Sequence, residues 1–383
     1  MYLRTLVSIL LFVSVPSLAE DSICQKSVQW MKVDTLKRPT FWQKIGNGIK
    51  SFVRCFDDID TLYVEPQHYN YTAMVQNTSS YEVYRLGAKD RQSITFAPKW
   101  SYRIGPYLGW RWVFLGYTFD IGHLDPGLGD KHRQEYDLSL YSSMLGIDLY
   151  YRLTGSDYRI LHMSMASDVD TKALEGVSFD GVYSSVKGFN LYYIFNHRKF
   201  SYPAAFSQST VQRRSAGSVL AGIGYTRHKL SVDWEKLSEV IQQHLGDQNS
   251  TVDSTLRFGT VKYTDLSFSG GYAYNWVFAR NWLLAVSLSA ALAYKHNSGD
   301  VNHQRFSFRN FSLSRFNVDG IGRFGLVYNN SKWYVGASAI LHTYNYHNSQ
   351  LSTNNMFGNV NVYVGFNFGR RKHLSVRILS GIY

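Results

Sequence analysis

Large apolar and small side chains alternate along residues 282–294, WLLAVSLSAALAY. One set is apolar with an aromatic residue at each end: Trp282, Leu284, Val286, Leu288, Ala290, Leu292 and Tyr294. The interleaved set is mostly small: Leu283, Ala285, Ser287, Ser289, Ala291 and Ala293. Successive side chains of a strand point to opposite faces, and a membrane-crossing strand has about 9–11 residues with an aliphatic band between aromatic girdles. The stretch therefore predicts a membrane-spanning strand, with a soluble sandwich strand or a buried helix as the alternatives for any single apolar run.

The same two-face pattern recurs along the chain, which favours a membrane-spanning sheet over the alternatives. About twelve segments carry it: residues 71–86, 93–109, 112–121, 135–142, 145–153, 181–195, 215–226, 263–278, 282–294, 313–328, 333–344 and 356–368. Charged side chains fall on the face opposite the apolar one: Glu135, Asp137, Asp148, Asp265, Asp319 and Arg323. This arrangement is typical of a barrel with a polar interior and a lipid-facing exterior.

The connections between these segments alternate between short and long. The short ones lie at Arg111, 143–144, 196–199, 279–281 and 329–332, and the long ones span 122–134, 154–180, 228–262, 295–312 and 345–355. Short periplasmic turns and long extracellular loops are typical of bacterial outer-membrane barrels, which have an even number of strands. Residues 200–212 are accordingly predicted to be an insertion or a strand extension, and residues 234–245 a short helix. The predicted fold is all-β: a membrane-spanning antiparallel up-and-down β-barrel of about twelve strands, occupying residues 63–369.

The N-terminal region differs from the rest of the chain. Residues 1–19 have a basic residue, an apolar core and a small-residue cleavage site, Ser17-Leu18-Ala19, which predicts a secretory signal peptide. Residues 20–62 are predicted to be a periplasmic segment, with an amphipathic helix near residues 41–56 that lies on the membrane or caps the barrel. Cys24 and Cys55 would be free to pair in an oxidising compartment. Residues 370–383 are predicted to form a C-terminal tail.

Composition narrows the possible partners. The chain has 383 residues, of which 45% are hydrophobic, and its mean hydropathy of −0.23 is too low for a helical membrane protein. The net charge of +12 fits contact with anionic outer-membrane lipid and lipopolysaccharide. The expected partners are these lipids and the barrel-insertion machinery, whereas an exported chain without a binding module is not expected to bind nucleic acid.

No motif in the sequence predicts catalysis. No Gly-x-Ser-x-Gly is present, and His123, His132, His342 and His347 have no fixed serine partner. The loop residues Asp125, Asp130 and His132 are better explained as solvated polarity than as a metal site. We therefore predict no catalytic, cofactor-binding or metal-binding residue and no cofactor.

The adjacent arginines Arg213 and Arg214 are the sharpest local feature. In a strand they would point to opposite faces, so that one binds an anionic group in the lumen; the alternative is an interface anchor or a partner for an inward Asp or Glu. The candidate lumen or anion-binding residues are Arg213, Arg214, Arg323, Asp148, Asp265 and Asp319.

Three stretches resemble a known family. They are residues 109–117 (GWRWVFLGY), residues 136–143 (YDLSLYSS) and, most specifically, residues 189–218 (FNLYYIFNHRKFSYPAAFSQSTVQRRSAGS). The chain resembles the domain of unknown function 4421 family of Bacteroides-like bacteria from about residue 63 to residue 368. The resemblance implies an outer-membrane barrel and brings no activity with it.

The predicted function is that of a non-enzymatic outer-membrane barrel, either a small channel or a structural or binding protein. The alternative is a lipid-active outer-membrane enzyme of the acyl hydrolase or transferase type. If the lumen is filled with water, Ser287→Arg is expected to be tolerated better than Leu288→Arg.

Overall fold

The computed structural model describes residues 59–370 except 89–91, 100, 111–112, 117–118, 121–133, 155–157, 166–168, 247–251, 253–256, 258–259, 298–315 and 348–350. Several predictions lie outside these residues: the signal peptide, the N-terminal helix, Cys24 and Cys55, and residues 371–383 of the tail. The loop residues His123, Asp125, Asp130 and His132 also lie outside them.

Strands dominate the described part of the chain. In chain order they are β1 (Val64–Pro66), β2 (Tyr69–Ala88), β3 (Ser93–Pro98), β4 (Ser101–Trp110), β5 (Val113–Gly116), β6 (Phe119–Asp120), β7 (Gln134–Tyr141), β8 (Leu145–Thr154), β9 (Tyr158–Ser164), β10 (Ser178–Phe179), β11 (Val182–Ile194), β12 (Thr210–Gln212), β13 (Ala216–Val232), β14 (Thr260–Ala279), β15 (Trp282–Asn297), β16 (Phe316–Asn329), β17 (Trp333–His347) and β18 (Leu351–Arg370). Two α-helices, α1 (Tyr202–Phe206) and α2 (Trp234–Leu245), and a 3₁₀ turn (Lys172–Leu174) complete the set. No helix within the described ranges has the length and apolarity that crossing a membrane requires.

One large antiparallel sheet contains sixteen of these strands. Its main path runs β10-β9-β3-β2-β18-β17-β16-β15-β14-β13-β11-β8-β7. β4 lies beside the first half of β2, and β5 and β6 lie beside β4. The small strands β1 and β12 pair separately. Within the described residues no hydrogen-bonded ladder joins β7, at one edge, to β5 and β6 at the other.

The sheet curls around an interior, because strands from opposite halves touch across it. Arg152 of β8 donates a hydrogen bond to Oδ1 of Asn359 on β18 over 2.7 Å. Thr154 of β8 donates to Glu82 on β2 over 3.2 Å. β8 is next to the edge strand β7, and β2 pairs with β4, which carries β5 and β6 at the opposite edge. These contacts therefore bring the two sides of the sheet together.

The two faces of β15 follow the sequence pattern. Leu288 and Leu292 are 58% and 50% exposed on the outer face, whereas Ala285 and Ala293 are 2% and 0% exposed on the inner face. β14 and β18 show the same division, with aromatic and aliphatic side chains outside and polar or small ones inside. The alternation predicted from the sequence is therefore present in the curled sheet.

Two of the short turns lie where the sequence predicts them, whereas the one predicted at Arg111 falls outside the described residues. β14 joins β15 through Arg280 and Asn281, and β16 joins β17 through residues 330–332. Asn281 and Ser331 adopt positive φ angles of 67° and 74°, the left-handed backbone that tight hairpins need.

The long connections are more structured than predicted. Residues 154–180 were predicted to be a loop but contain β9 and β10, and the predicted strand 93–109 is divided into β3 and β4. Strands β15, β17 and β18 extend into the predicted loops 295–312 and 345–355. The predictions ended these strands too early because β strands that continue past a lipid-facing band become polar on both faces and resemble loops in sequence.

An apolar cluster closes the long-loop end of the sheet. It joins β2, β3, β9, β10 and β13 to helix α2, whose Leu237 and Ile241 are buried in it. Helix α2 has the predicted bounds. It begins where Oδ1 of Asp233 accepts a hydrogen bond from the backbone N–H of Lys236 over 3.1 Å, and it ends at Gly246, where φ is +70°.

Candidate functional site inside the sheet

A buried ion pair lies in the interior between β8 and β16. Arg323 donates from Nη2 to Oδ2 of Asp148, and the two residues are 2% and 5% exposed. Ser139 donates a further hydrogen bond to Asp148 over 2.8 Å. The ring centroid of Tyr192 lies 4.9 Å from the guanidinium carbon of Arg323. This arrangement satisfies a charge that would otherwise be costly to bury.

Aromatic and hydroxyl side chains fill the space next to this pair. The hydroxyl of Tyr150 is hydrogen-bonded to Thr226 over 2.5 Å and to Tyr344 over 2.7 Å. His342 packs among Tyr150, Tyr344 and Phe357, and Arg152 lies 4.8 Å from the ring centroid of Phe357. Two cavities lined mainly by interior side chains at this level have volumes of about 10 and 30 Å³, which is close to the space that one or two water molecules need. The interior is therefore occupied by side chains at this level. A larger cavity of about 610 Å³ lies where β2, β3, β9 and β18 meet and reaches the interior residues Ser80 and Glu82.

A second charged cluster lies nearer the long-loop end. Nζ of Lys295 is 3.0 Å from Oδ1 of Asp319 and 3.8 Å from Oδ2 of Asp265, and all three residues are at most 2% exposed. The Nε2 atom of His228 lies 3.6 Å from Oδ2 of Asp265, and the imidazole stacks on Tyr263 at 4.5 Å. An ammonium group at the centre of this cluster does not favour a cation ligand. Within the described ranges no group of three or more His, Cys, Asp or Glu side chains is arranged to hold a metal ion.

The segment 200–212 enters the interior at the short-turn end. Its helix α1 begins where the hydroxyl of Ser201 accepts a hydrogen bond from the backbone N–H of Ala204 over 3.2 Å. Ala204 and Ala205 are at most 2% exposed and pack in a cluster with wall residues of β2 and β15 to β18. Gln208 donates to the hydroxyl of Tyr363 over 2.6 Å. We call residues 200–212 the plug. Of the two predicted possibilities, an insertion or a strand extension, the structure shows an insertion, because β12 pairs with β1 outside the large sheet.

The plug changes the expected effect of a substitution at Ser287. The hydroxyls of Ser287 and Tyr202 are hydrogen-bonded, and both residues are at most 1% exposed. Tyr202 also stacks on Tyr141 at 5.8 Å. The expectation that Ser287→Arg is tolerated better than Leu288→Arg depended on a water-filled lumen, and that condition is not met here, because this inner position is packed against the plug.

An ion pair anchors the plug at its outer end. β12, the last part of the plug, pairs with β1, and Nε of Arg213 donates to the carboxylate of Glu65 on β1. Arg213 also donates to Oδ1 of Asn281 in the β14–β15 turn over 2.7 Å. Burial of Glu65 acts to raise the pKa of its carboxyl, but hydrogen bonds from Arg213 and His68 outweigh it and hold that pKa below its ordinary value. Glu65 is therefore a charged anchor near neutral pH.

The candidate residues predicted from the sequence fall into three places. Arg323 and Asp148 form the central ion pair, and Asp265 and Asp319 flank Lys295. Arg213 pairs with the partly exposed Glu65 of β1 and not with an inward carboxylate of the large sheet. Arg214 lies beside it, with its guanidinium carbon 5.8 Å from the ring centroid of Tyr63. The side chains of Glu135 and Asp137 lie outside the described residues.

Sequence reasoning missed several interior residues that complete these clusters. The sequence pattern predicts a loop at Lys295, although this residue is the next inward position of β15 after Ala293. Arg152, His228 and Glu82 also lie inside. Extending the two-residue period of β15 by one more inward position identifies Lys295. The pairings across the interior, however, depend on how the sheet curls.

Solved structures with a similar arrangement include three bacterial proteins. The outer membrane protease OmpT from Escherichia coli shares 8% identity and a TM-score of 0.31, with 78% of this chain and 97% of that chain covered. The translocator domain of the autotransporter NalP from Neisseria meningitidis shares 9% identity and a TM-score of 0.28, with 85% and 95% covered. An outer membrane channel from Pseudomonas putida F1 shares 9% identity and a TM-score of 0.25, with 79% and 97% covered. Likenesses at this level carry no inference about activity.

Sequence comparison with curated proteins finds no match. The model of a family described as a domain of unknown function, DUF4421, matches residues 58–368, which include every strand of the curled sheet up to the last residues of β18. This confirms the resemblance found in residues 189–218, most of which form β11, the plug and the start of β13. The chain belongs to the DUF4421 family.

Proposed function

We propose that this protein is an outer-membrane β-barrel whose lumen is closed by its own side chains, and that it acts as a non-enzymatic binding or structural barrel instead of an open channel. The single observation that carries the proposal is the plug. Residues 200–212 pack against the inner wall at the short-turn end, and the buried clusters fill the lumen beyond them.

The barrel is proposed to have twelve wall strands. Residues 113–116 and 119–120 both pair with β4 and would belong to one strand, which with β2, β4, β7, β8, β11 and β13 to β18 makes twelve. Closure requires that strand to pair with β7. The contacts of β8 with β2 and β18 support this closure because they already bring the two sides of the sheet within hydrogen-bond distance across the interior. An even strand count also agrees with the rule for bacterial outer-membrane barrels.

The outer face supports a position in the membrane. It carries exposed aliphatic and aromatic residues on consecutive strands, including Val286, Leu288 and Leu292 on β15 and Val360, Val362 and Val364 on β18. Aromatic pairs lie at the short-turn end, where Trp282 contacts Tyr328 at 5.3 Å and Trp333 contacts Phe366 at 5.3 Å. An apolar band with aromatic girdles suits a lipid bilayer, with the short turns in the periplasm and the long loops outside the cell.

Conductance in planar lipid bilayers tests the proposed function. The purified full chain is expected to insert without opening a steady ion-conducting pore, because the plug packs against the inner wall at the short-turn end and side chains occupy the interior beyond it. A variant in which residues 202–208 are replaced by a Gly/Ser linker of equal length is expected to conduct, since the short-turn end is then uncovered and the interior side chains beyond it lose their packing against Tyr202 and can move apart. Steady conductance of the natural chain at the level of the plug-replaced variant would overturn the proposal.

A matched control separates the plug from general loosening of the barrel. The same Gly/Ser replacement of residues 234–240 removes part of α2 at the other end of the molecule and leaves the plug in place. This control is expected to stay silent or to conduct far less than the plug-replaced variant. Far-UV circular dichroism and heat-modifiable gel migration establish that each variant is folded before its conductance is compared.

A further inference from the structure

Four basic side chains form a compact patch on the outer face near the long-loop end. They are Lys187 on β11, Arg227 and Lys229 on β13, and Lys262 on β14. Lys187 lies directly opposite Arg227, and Lys229 directly opposite Lys262, in the registers of these antiparallel strands. Arg227 and Lys229 are two residues apart on one strand and so point to the same face. We call these four residues the basic patch.

The arrangement is unfavourable for the protein alone. Like charges directly opposite each other on one sheet face are destabilising, and this patch contains two such pairs side by side. Among the residues that the structure describes, none of the four has an acidic partner within 4.0 Å; Nζ of Lys229 lies instead 4.8 Å from the ring centroid of Tyr183. An anionic partner with more than one negative charge would relieve the repulsion within both pairs.

Hydroxyl groups border the patch on the same face. Thr264 lies opposite Arg227, and Ser185 lies opposite Lys229. Hydroxyl donors beside guanidinium and ammonium groups suit phosphate, which accepts several hydrogen bonds through its oxygens.

The next row towards the short-turn end is apolar. Phe189 and Tyr225 stack with ring centroids 6.2 Å apart, and they lie opposite Leu149 and Leu266 on the neighbouring strands. These four outward side chains are between 36% and 49% exposed. The basic patch therefore adjoins the start of the band that would contact acyl chains.

We infer that the basic patch binds the phosphorylated sugar head of a lipid A molecule in the outer leaflet, with its acyl chains lying on the Leu149–Phe189–Tyr225–Leu266 row. Two phosphates on one ligand match the two like-charge pairs, and the apolar row lies on the side from which the acyl chains would approach. This inference deepens the proposed function and rests on the membrane-spanning arrangement given there.

The experiment measures lipid binding to the purified full chain in detergent micelles by native mass spectrometry. The probes are bisphosphorylated lipid A, monophosphorylated lipid A and phosphatidylethanolamine. The natural chain is expected to bind bisphosphorylated lipid A most tightly and phosphatidylethanolamine most weakly. The double variant Arg227→Gln with Lys229→Gln is expected to bind bisphosphorylated lipid A about 30-fold more weakly, because each cation near an anionic lipid surface contributes about fivefold.

The matched control removes two exposed cations from the short-turn end, through Arg280→Gln with Lys332→Gln. It loses the same net charge and is expected to bind bisphosphorylated lipid A as the natural chain does. If both double variants bind bisphosphorylated lipid A equally weakly, the effect depends on net charge alone, and the proposed site is overturned. Equal binding of all three lipids by the natural chain, or no binding of any of them, would overturn it as well.

Conductance and lipid binding are measured on the same preparation. If the natural chain does not conduct and shows no lipid preference, the result counts against the lipid site alone. If it conducts and prefers bisphosphorylated lipid A, the result counts against the closed lumen alone. Removal of the two cations is also expected to leave the folded fraction unchanged in lipid-free detergent, since it relieves repulsion within the patch.

Discussion

Arg323→Met is expected to lower the free energy of unfolding by about 3–5 kcal/mol, because it leaves the carboxylate of Asp148 buried without its cation. Asp148 is 5% exposed and retains Ser139 as a hydrogen-bond donor, which does not neutralise its charge. The loss also removes the contact of the guanidinium group with the ring of Tyr192. Urea unfolding of the folded chain in lipid vesicles, followed by tryptophan fluorescence, measures the change.

The matched control is the double variant Arg323→Met with Asp148→Leu. Replacing both members of a buried ion pair by apolar residues of similar size is often neutral or stabilising, so the double variant is expected to recover most of the lost stability. A double variant as unstable as Arg323→Met would mean that the cost arises from packing against the tyrosines and not from an unpaired buried charge.

Leu288→Arg is expected to cost about 2–4 kcal/mol in a bilayer, the range for a basic residue at the lipid-facing midplane of a barrel. Leu288 is 58% exposed on the outer face of β15 and lies opposite Tyr272 and Gly322 on the neighbouring strands. Burial in protein cannot account for such a cost at a residue this exposed. The measurement is again reversible unfolding from lipid vesicles.

Ala279→Arg is the control for the added charge. Ala279 is exposed at the end of β14, beside the turn to β15, and a basic residue near the membrane interface costs only about 0–1 kcal/mol. The two variants differ in depth along adjacent strands and carry the same new side chain. Equal costs would contradict the assignment of Leu288 to the middle of a lipid-facing band.

The two-residue period identified much of the fold from the sequence. It assigned Leu288 to the outer face and Ala285 to the inner face of β15 correctly, and the polar spacers located the turns at 279–281 and 329–332. The period predicted the strand ends wrongly where the strands extend beyond the apolar band. On the N-terminal side of Met356, the outward positions of β18 are polar, as at Asn354. The sequence pattern therefore predicts a loop there, although β18 begins at Leu351.

The candidate site was less predictable than the fold. Inward alternation identified Asp148, Asp265, Asp319 and Arg323 as interior residues, but a strand pattern holds no information about partners across the barrel. The pairing of Arg323 with Asp148 joins residues 175 positions apart and depends on the curl of the whole sheet. The plug illustrates the same limit: strand parity excluded residues 200–212 from the wall, whereas their entry into the lumen depends on tertiary contacts such as Tyr202 with Ser287.

The most direct test of a membrane-spanning, two-faced wall is the solvent accessibility of spin labels placed along its outer face. Single cysteines are introduced by Ala279→Cys, Leu288→Cys and Leu292→Cys, each in a chain carrying Cys24→Ser and Cys55→Ser. In vesicles, labels at 288 and 292 are expected to collide readily with oxygen, which dissolves in lipid, and rarely with a water-soluble nickel complex, while the label at 279 shows the reverse. Labels at 288 and 292 that collide more often with the nickel complex would contradict the account and indicate a sheet exposed to water.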